Sequence, residues 1–79
     1  MVTVYTTRTC GFCHAVKSYL DGKNVKYDEV KVDETPDGPR TLIDKSGQLG
    51  VPVVDFDGDI VIGFNRPQID LLLREHKLV

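Results

Sequence analysis

Within twenty residues of its start the chain switches from the two-residue period of a strand to the 3.6-residue period of a helix. This switch restricts the fold more than any other feature. Val2, Val4 and Thr6 alternate with Thr3, Tyr5 and Thr7, a β-branched run that reads as a strand. The run stops at Arg8-Thr9-Cys10-Gly11. From Gly11 to about Asp21, Phe12, Val16, Tyr19 and Leu20 fall at i, i+4, i+7 and i+8, the apolar stripe of a helix, and Gly22 sits where a helix C-terminal glycine belongs. Val25 to Val32, ending at Asp33, reads as a second strand. Strand, helix and strand in that order predict two parallel strands joined by a right-handed crossover. Val25 and Tyr27 share one phase and Val30 and Val32 the other, so this second strand is expected to carry a bulge or to be partly buried on both faces.

Glu34 to Gly38, with Pro36 and Pro39, reads as a loop. Pro39 opens a short predicted helix through about Ser46, with Leu42 and Ile43 buried and Gly47 at its end. Val51-Pro52-Val53-Val54-Asp55-Phe56 reads as a third strand, Asp57-Gly58 as a hairpin turn and Ile60-Val61-Ile62 as the return strand. Asn65 or Arg66 caps a last helix with Pro67 near its first position, and Ile69, Leu72, Leu73 and His76 form its stripe. The order β-α-β-α-β-β-α predicts an α/β fold, a four-stranded mixed sheet flanked by three helices that cover both faces. The 79 residues make one domain over 1–79. At this size folding buries only about 60–65% of the surface of the unfolded chain, so the core is thin.

Ten Lys and Arg stand against twelve Asp and Glu, a net charge of −2. Neither sign dominates, which argues against a nucleic-acid module and against a basic helix on a membrane surface. The longest aliphatic run, Leu71-Leu72-Leu73, is far short of the roughly 20 apolar residues of a bilayer span. Met1-Val2-Thr3-Val4-Tyr5 has neither the charged nor the apolar region of a secretory signal, and a cytoplasmic chain is expected.

Chemistry concentrates in Cys10-Gly11-Phe12-Cys13, which lies at the strand-to-helix junction. Cys10 is predicted just before the first helical turn, facing N–H groups without helical partners. Those groups and the helix dipole stabilise a thiolate and lower its pKa by up to ~1 unit from about 8.5, with a further push expected from Arg8. Cys13 lies one turn on, where the dipole is weaker. One exposed low-pKa thiol beside a deeper resolving thiol is what thiol–disulfide exchange requires.

Other chemistries use the same residues. A structural disulfide across two intervening residues closes too small a loop to stabilise much. Zinc would need two ligands beyond the cysteines, and His14 and His76 stand at the wrong spacing; no metal is predicted. Cys10-Gly11-Phe12-Cys13-His14 matches the C-x-x-C-H pattern of haem attachment, but the flanking strands leave no helical haem pocket and only Met1 or His76 could serve as the second axial ligand. Asp55, Asp57 and Asp59 resemble the start of a calcium loop, whose closing glutamate is here Arg66. Phe12 reads equally as core or as an exposed substrate contact, Phe64 as core or site, and His14 as an exposed helix residue.

The whole chain resembles the glutaredoxin family within the thioredoxin fold. Tyr5-Thr6-Thr7-Arg8-Thr9-Cys10-Gly11-Phe12-Cys13-His14 is similar to the family's strand-to-active-site segment, Val51-Pro52 to its cis-proline turn, and Ile62-Gly63-Phe64 to its glycine-containing segment before the last helix. Gly11-Phe12 replaces the family's frequent Pro-Tyr. Thr7, with Arg8 beside it, stands where many members place a lysine near glutathione, and Asn65-Arg66 stands for their acidic pair. Gly63-Phe64-Asn65-Arg66-Pro67 is similar instead to the Gly-Phe-Arg-Pro stretch of NrdH-type redoxins, with Asn65 extra.

The resemblance implies a dithiol–disulfide oxidoreductase with Cys10 as nucleophile and Cys13 as resolving thiol. Arg8, Phe12, Val51, Pro52, Gly63, Phe64 and Asn65 would contact substrate, with Pro52 in cis presenting the Val51 backbone. It implies no bound cofactor beyond the reversible Cys10–Cys13 disulfide. The partners it implies are a disulfide-containing protein, with ribonucleotide reductase a candidate, and thioredoxin reductase or glutathione as electron source. A monomer is expected. The alternative from another class is a redox-inactive binding module on the same fold.

Overall fold

The structure is a computed structural model and describes residues 2–48 and 50–78. Seven elements run in order: β1 (Val2–Thr6), α1 (Gly11–Gly22), β2 (Tyr27–Lys31), α2 (Gly38–Ser46), β3 (Val53–Phe56), β4 (Asp59–Ile62) and α3 (Arg66–Glu75). The strands form one sheet in the order β2-β1-β3-β4. β1 pairs parallel with β2, Val2 opposite Tyr27 through Thr6 opposite Lys31, and antiparallel with β3, which pairs antiparallel with β4. This is the thioredoxin-like α/β fold, with element order and mixed sheet as the residue pattern predicts.

Strand alternation sorts the core into two layers. Val2 and Val4 of β1, Val54 and Phe56 of β3 and Val61 of β4 pack on Val16 and Leu20 of α1 and on Ile69, Leu72 and Leu73 of α3. The opposite face is smaller, where Tyr5, Val53 and Val32 close on Leu42 of α2.

Helix α1 ends in a Schellman motif centred on Asn24 rather than on Gly22 as expected. Asn24 is left-handed (φ 58°), its N–H donates to Asp21 O, and the Val25 N–H donates to Leu20 O at 3.0 Å. Leu20 and Val25 then join the same core layer. β2 is shorter than predicted and its register is unbroken, so the phase change is not a bulge. Tyr27 packs on the larger core layer and Val30 on the smaller, while Val25 and Val32 are buried beyond its ends. The edge strand therefore uses both faces, and the out-of-phase valines belong to its flanks. Ile43, expected inside, is exposed because Leu42 alone of the pair faces the sheet. Helix α2 starts at Gly38 rather than Pro39, and a Cβ on Gly38 would collide with the Val32 backbone, 2.8 Å from its Cα. Asp57 and Gly58 both take positive φ (53° and 111°), as a two-residue type I′ hairpin requires. The Asp55 carboxylate, one of the calcium-loop candidates, accepts the Gly58 N–H at 2.7 Å and faces Lys45 at 3.9 Å, so it serves the hairpin.

Candidate active site

The register places Tyr5, Val53 and Ile62 in one row across the sheet. The segments after β1, before β3 and after β4 therefore emerge at one end, where α1 also begins. That topology gathers Thr7–Cys10, Val51-Pro52 and Gly63-Phe64, far apart in sequence.

Cys10 is the N-cap of α1, with extended backbone (φ −93°, ψ 109°). Its Sγ accepts the Cys13 N–H at 3.1 Å, the role an oxygen side chain usually takes. Cys13 is one turn on, on the buried stripe with Val16 and Leu20, and is 1% exposed, whereas Cys10 is half-buried. The two are joined as a disulfide with Cα atoms 5.3 Å apart. On reduction, the N–H aimed at Cys10 and the helix N-terminus favour thiolate there; burial of Cys13 disfavours it.

Arg8, expected to act on the Cys10 thiol, is paired with Asp33. Its backbone N–H and its Nε both donate to Asp33 Oδ2, at 3.2 and 3.1 Å, and they hold the Asp33 carboxyl below the usual carboxylate range. Deeper, the buried Thr6 hydroxyl donates to Glu29 Oε2 at 2.7 Å and Lys17 Nζ approaches the same oxygen at 3.0 Å. The hydroxyl chiefly, and then the ammonium, lower the Glu29 pKa. Phe12 is 69% exposed in the first turn of α1.

The Val51–Pro52 bond is cis, as the resemblance implies. Pro52 is buried, and its carbonyl accepts the Gly63 N–H at 2.8 Å, tying the start of β3 to the end of β4. Gly63 sits at φ 79°, a left-handed conformation that the absence of a Cβ permits. Asn65 caps α3 through Gln68 N–H at 3.3 Å. Phe64 meets Tyr19 edge-on, ring centroids 5.8 Å apart.

A family model for glutaredoxin matches residues 2–61. The chain belongs to the glutaredoxin family. It is 37% identical, over 75 residues, to an uncharacterized glutaredoxin-like 8.6 kDa protein of Clostridium pasteurianum, covering 95% of this chain and 100% of that one. It is 32% identical to glutaredoxin 3 of Escherichia coli K12 over 62 residues, 78% of this chain and 75% of the relative. The solved structure of the glutaredoxin-like NrdH-redoxin from Escherichia coli superposes with a TM-score of 0.79 at 27% identity, over 90% of this chain and 92% of that one. Glutaredoxins are thiol–disulfide oxidoreductases, and this one carries their C-x-x-C pair at disulfide distance. Their chemistry stores two electrons in the cysteine pair itself and needs no bound cofactor. Among the described residues no helix is long and apolar enough to cross a membrane.

In this glutaredoxin Cys10, Cys13, Phe12, Val51, Pro52, Gly63 and Phe64 share the same end of the sheet, while Asn65 is occupied as a helix cap and Arg8 as a partner of Asp33. Three residues of structural weight have no motif. Tyr19 reads from sequence as plain core, yet it donates to the Asp70 carboxylate and carries Lys23 and Arg66 each 5.1 Å from its ring. Arg66, which with Asn65 stands in place of the family's acidic pair, lies over that ring. Asp33 and Glu29 were legible only through register: β1 and β2 pair at a constant offset of 25 residues, and Arg8 and Asp33 continue it past the strand ends.

Proposed function

We propose that Cys10 and Cys13 run a two-step reduction of protein disulfides. The Cys10 thiolate attacks one sulfur of the substrate disulfide, that bond breaks, and the displaced thiolate takes a proton. Cys13, deprotonated, then attacks Cys10 Sγ; the mixed disulfide breaks, the second substrate thiol leaves, and the Cys10–Cys13 disulfide remains. Two electrons and two protons from a reductant restore the dithiol. The observation that carries this reading is the asymmetry of the pair, with Cys10 half-buried at a helix N-cap and Cys13 1% exposed. Exposed Phe12, the Val51 backbone beside Pro52 and the Gly63-Phe64 turn form the surface for an extended substrate segment.

The reductant in this reading is a thioredoxin reductase rather than glutathione. Glutathione carries two carboxylates and one ammonium group. Thr7 offers no cation, Arg8 is engaged with Asp33, and Asn65 and Arg66 offer no carboxylate to the ammonium. One lost desolvated charge contact costs about 1.5–3 kcal/mol, roughly 10- to 150-fold in affinity. The Escherichia coli NrdH-redoxin, described by a thioredoxin-like activity profile, supports the same direction. The protein acts as a monomer in the cytoplasm, whose reducing poise keeps the pair supplied, and ribonucleotide reductase is the substrate to test first.

The test is steady-state reduction of a protein disulfide with each donor supplied alone. Turnover is expected with thioredoxin reductase and NADPH, and little with glutathione and its reductase. Efficient turnover with glutathione alone would overturn the donor assignment and leave a glutathione-dependent glutaredoxin.

A further inference from the structure

We propose that Asp33 is a specificity-determining residue: its carboxylate pairs with Arg8, two residues before Cys10, and thereby disfavours the anionic tripeptide glutathione as electron donor. This rests on the proposed preference for a reductase and names the residue behind part of it. Val32, buried, donates its N–H to Thr6 O at 2.8 Å and fixes the end of β2 against the end of β1. Arg8 and Asp33, each two positions past the last strand pair Thr6–Lys31, then face each other, and one Asp33 oxygen receives both the Arg8 N–H and Nε. The backbone bond pins the segment that leads into Cys10. The side-chain bond fills the Nε edge of the guanidinium, an edge with which a carboxylate would otherwise pair. The Asp33 charge also repels any carboxylate that approaches Arg8. Arg8 borders a cavity of about 190 Å³ that Thr7 and His14 also line. The two lysines of that cavity are paired on β2 and beyond it, Lys17 with Glu29 at 3.0 Å and Lys31 with Glu34 at 3.9 Å. Arg8 is the cation nearest Cys10 in the chain and its side chain is 71% exposed, so losing the Asp33 charge would leave a guanidinium open to a carboxylate ligand.

Asp33→Asn separates charge from hydrogen bonding, because the amide oxygen can still accept both Arg8 donors while the repulsion of a carboxylate ligand is gone. Asp33→Ser removes the charge with a smaller polar group and serves if the amide variant folds poorly, as thermal unfolding reports. With glutathione as varied donor and a small disulfide held constant, the KM for glutathione is expected to fall about 2- to 5-fold in either variant, the range of an exposed ion pair. Adding Arg8→Gln to Asp33→Asn should reverse the gain. An unchanged KM in folded Asp33 variants, or a gain that survives the loss of Arg8, would overturn the proposal. The donor reading fails on a different measurement, the ratio of the two donors with the unmodified protein, so the two failures are distinguishable.

Discussion

A cysteine at a helix N-cap is an unusual choice, and here the cap position and the redox position coincide. Cys10 Sγ takes the Cys13 N–H, while Cys13 turns inward among Val16 and Leu20. From this asymmetry, brief alkylation of the reduced protein should mark Cys10 first, as peptide mapping would read; faster labelling of Cys13 would reverse the roles. Cys10→Ser should abolish disulfide reduction. Cys13→Ser should retain the first step and trap a mixed disulfide with the substrate, visible on a non-reducing gel. Glu29 adds a pH dependence. Its pKa is lowered in the fold by Thr6 and Lys17, so the unfolded chain binds its proton first as pH falls. The stability it contributes is complete above its unfolded pKa, about 4.3, and is lost as pH drops through the lower folded value. Urea unfolding between pH 2 and 6 should therefore show a flatter acid limb for Glu29→Gln than for the unmodified protein.

The elements end on left-handed residues that only partly announce themselves. Asn24 closes α1 and Lys77 closes α3 in the same way, each at positive φ with the next N–H returning to the last turn. Replacing Asn24 with Ala puts a residue without a compensating side chain into that conformation, and about 1 kcal/mol of stability should be lost. Gly38 has a different reason. It sits at the first position of α2 with the Val32 backbone where a Cβ would go. Gly38→Ala should cost about 1–3 kcal/mol, because backbone rather than a flexible side chain must yield. The same α2 shows where pattern alone misleads. Leu42 and Ile43 are equally apolar, but a nine-residue helix turns one narrow stripe to the sheet, and Leu42 holds it.

At the scale of the molecule the two core layers are unequal. Among the described residues, α1 and α3 share one face with eleven buried residues, and α2 covers the other over a cluster of four buried residues. Among the described residues Leu42 is the only helical side chain in the smaller cluster, so Leu42→Ala removes its centre. The expected loss is about 2–5 kcal/mol, and the thermal midpoint should fall by at least ~8 °C, since each kcal/mol is worth roughly 4–8 °C at this size. A smaller drop would show that the thin layer collapses around the void.

Periodicity, turn residues and the Cys10–Cys13 spacing were enough for the element order, the mixed sheet, the hairpin at Asp57-Gly58 and the position of the redox pair, because each depends on neighbours within a turn or a strand. The partners of Arg8, Tyr19 and Glu29 were not legible, since they lie 25, 51 and 23 or 12 residues away. Those pairs exist only once register and packing bring the chain together. The shared end of the sheet that unites Cys10, Pro52 and Gly63 is likewise a product of strand order. Short-range chemistry determined what the thiols can do; tertiary register decided which charges stand beside them, because electrostatic partners are chosen by distance in space rather than along the chain.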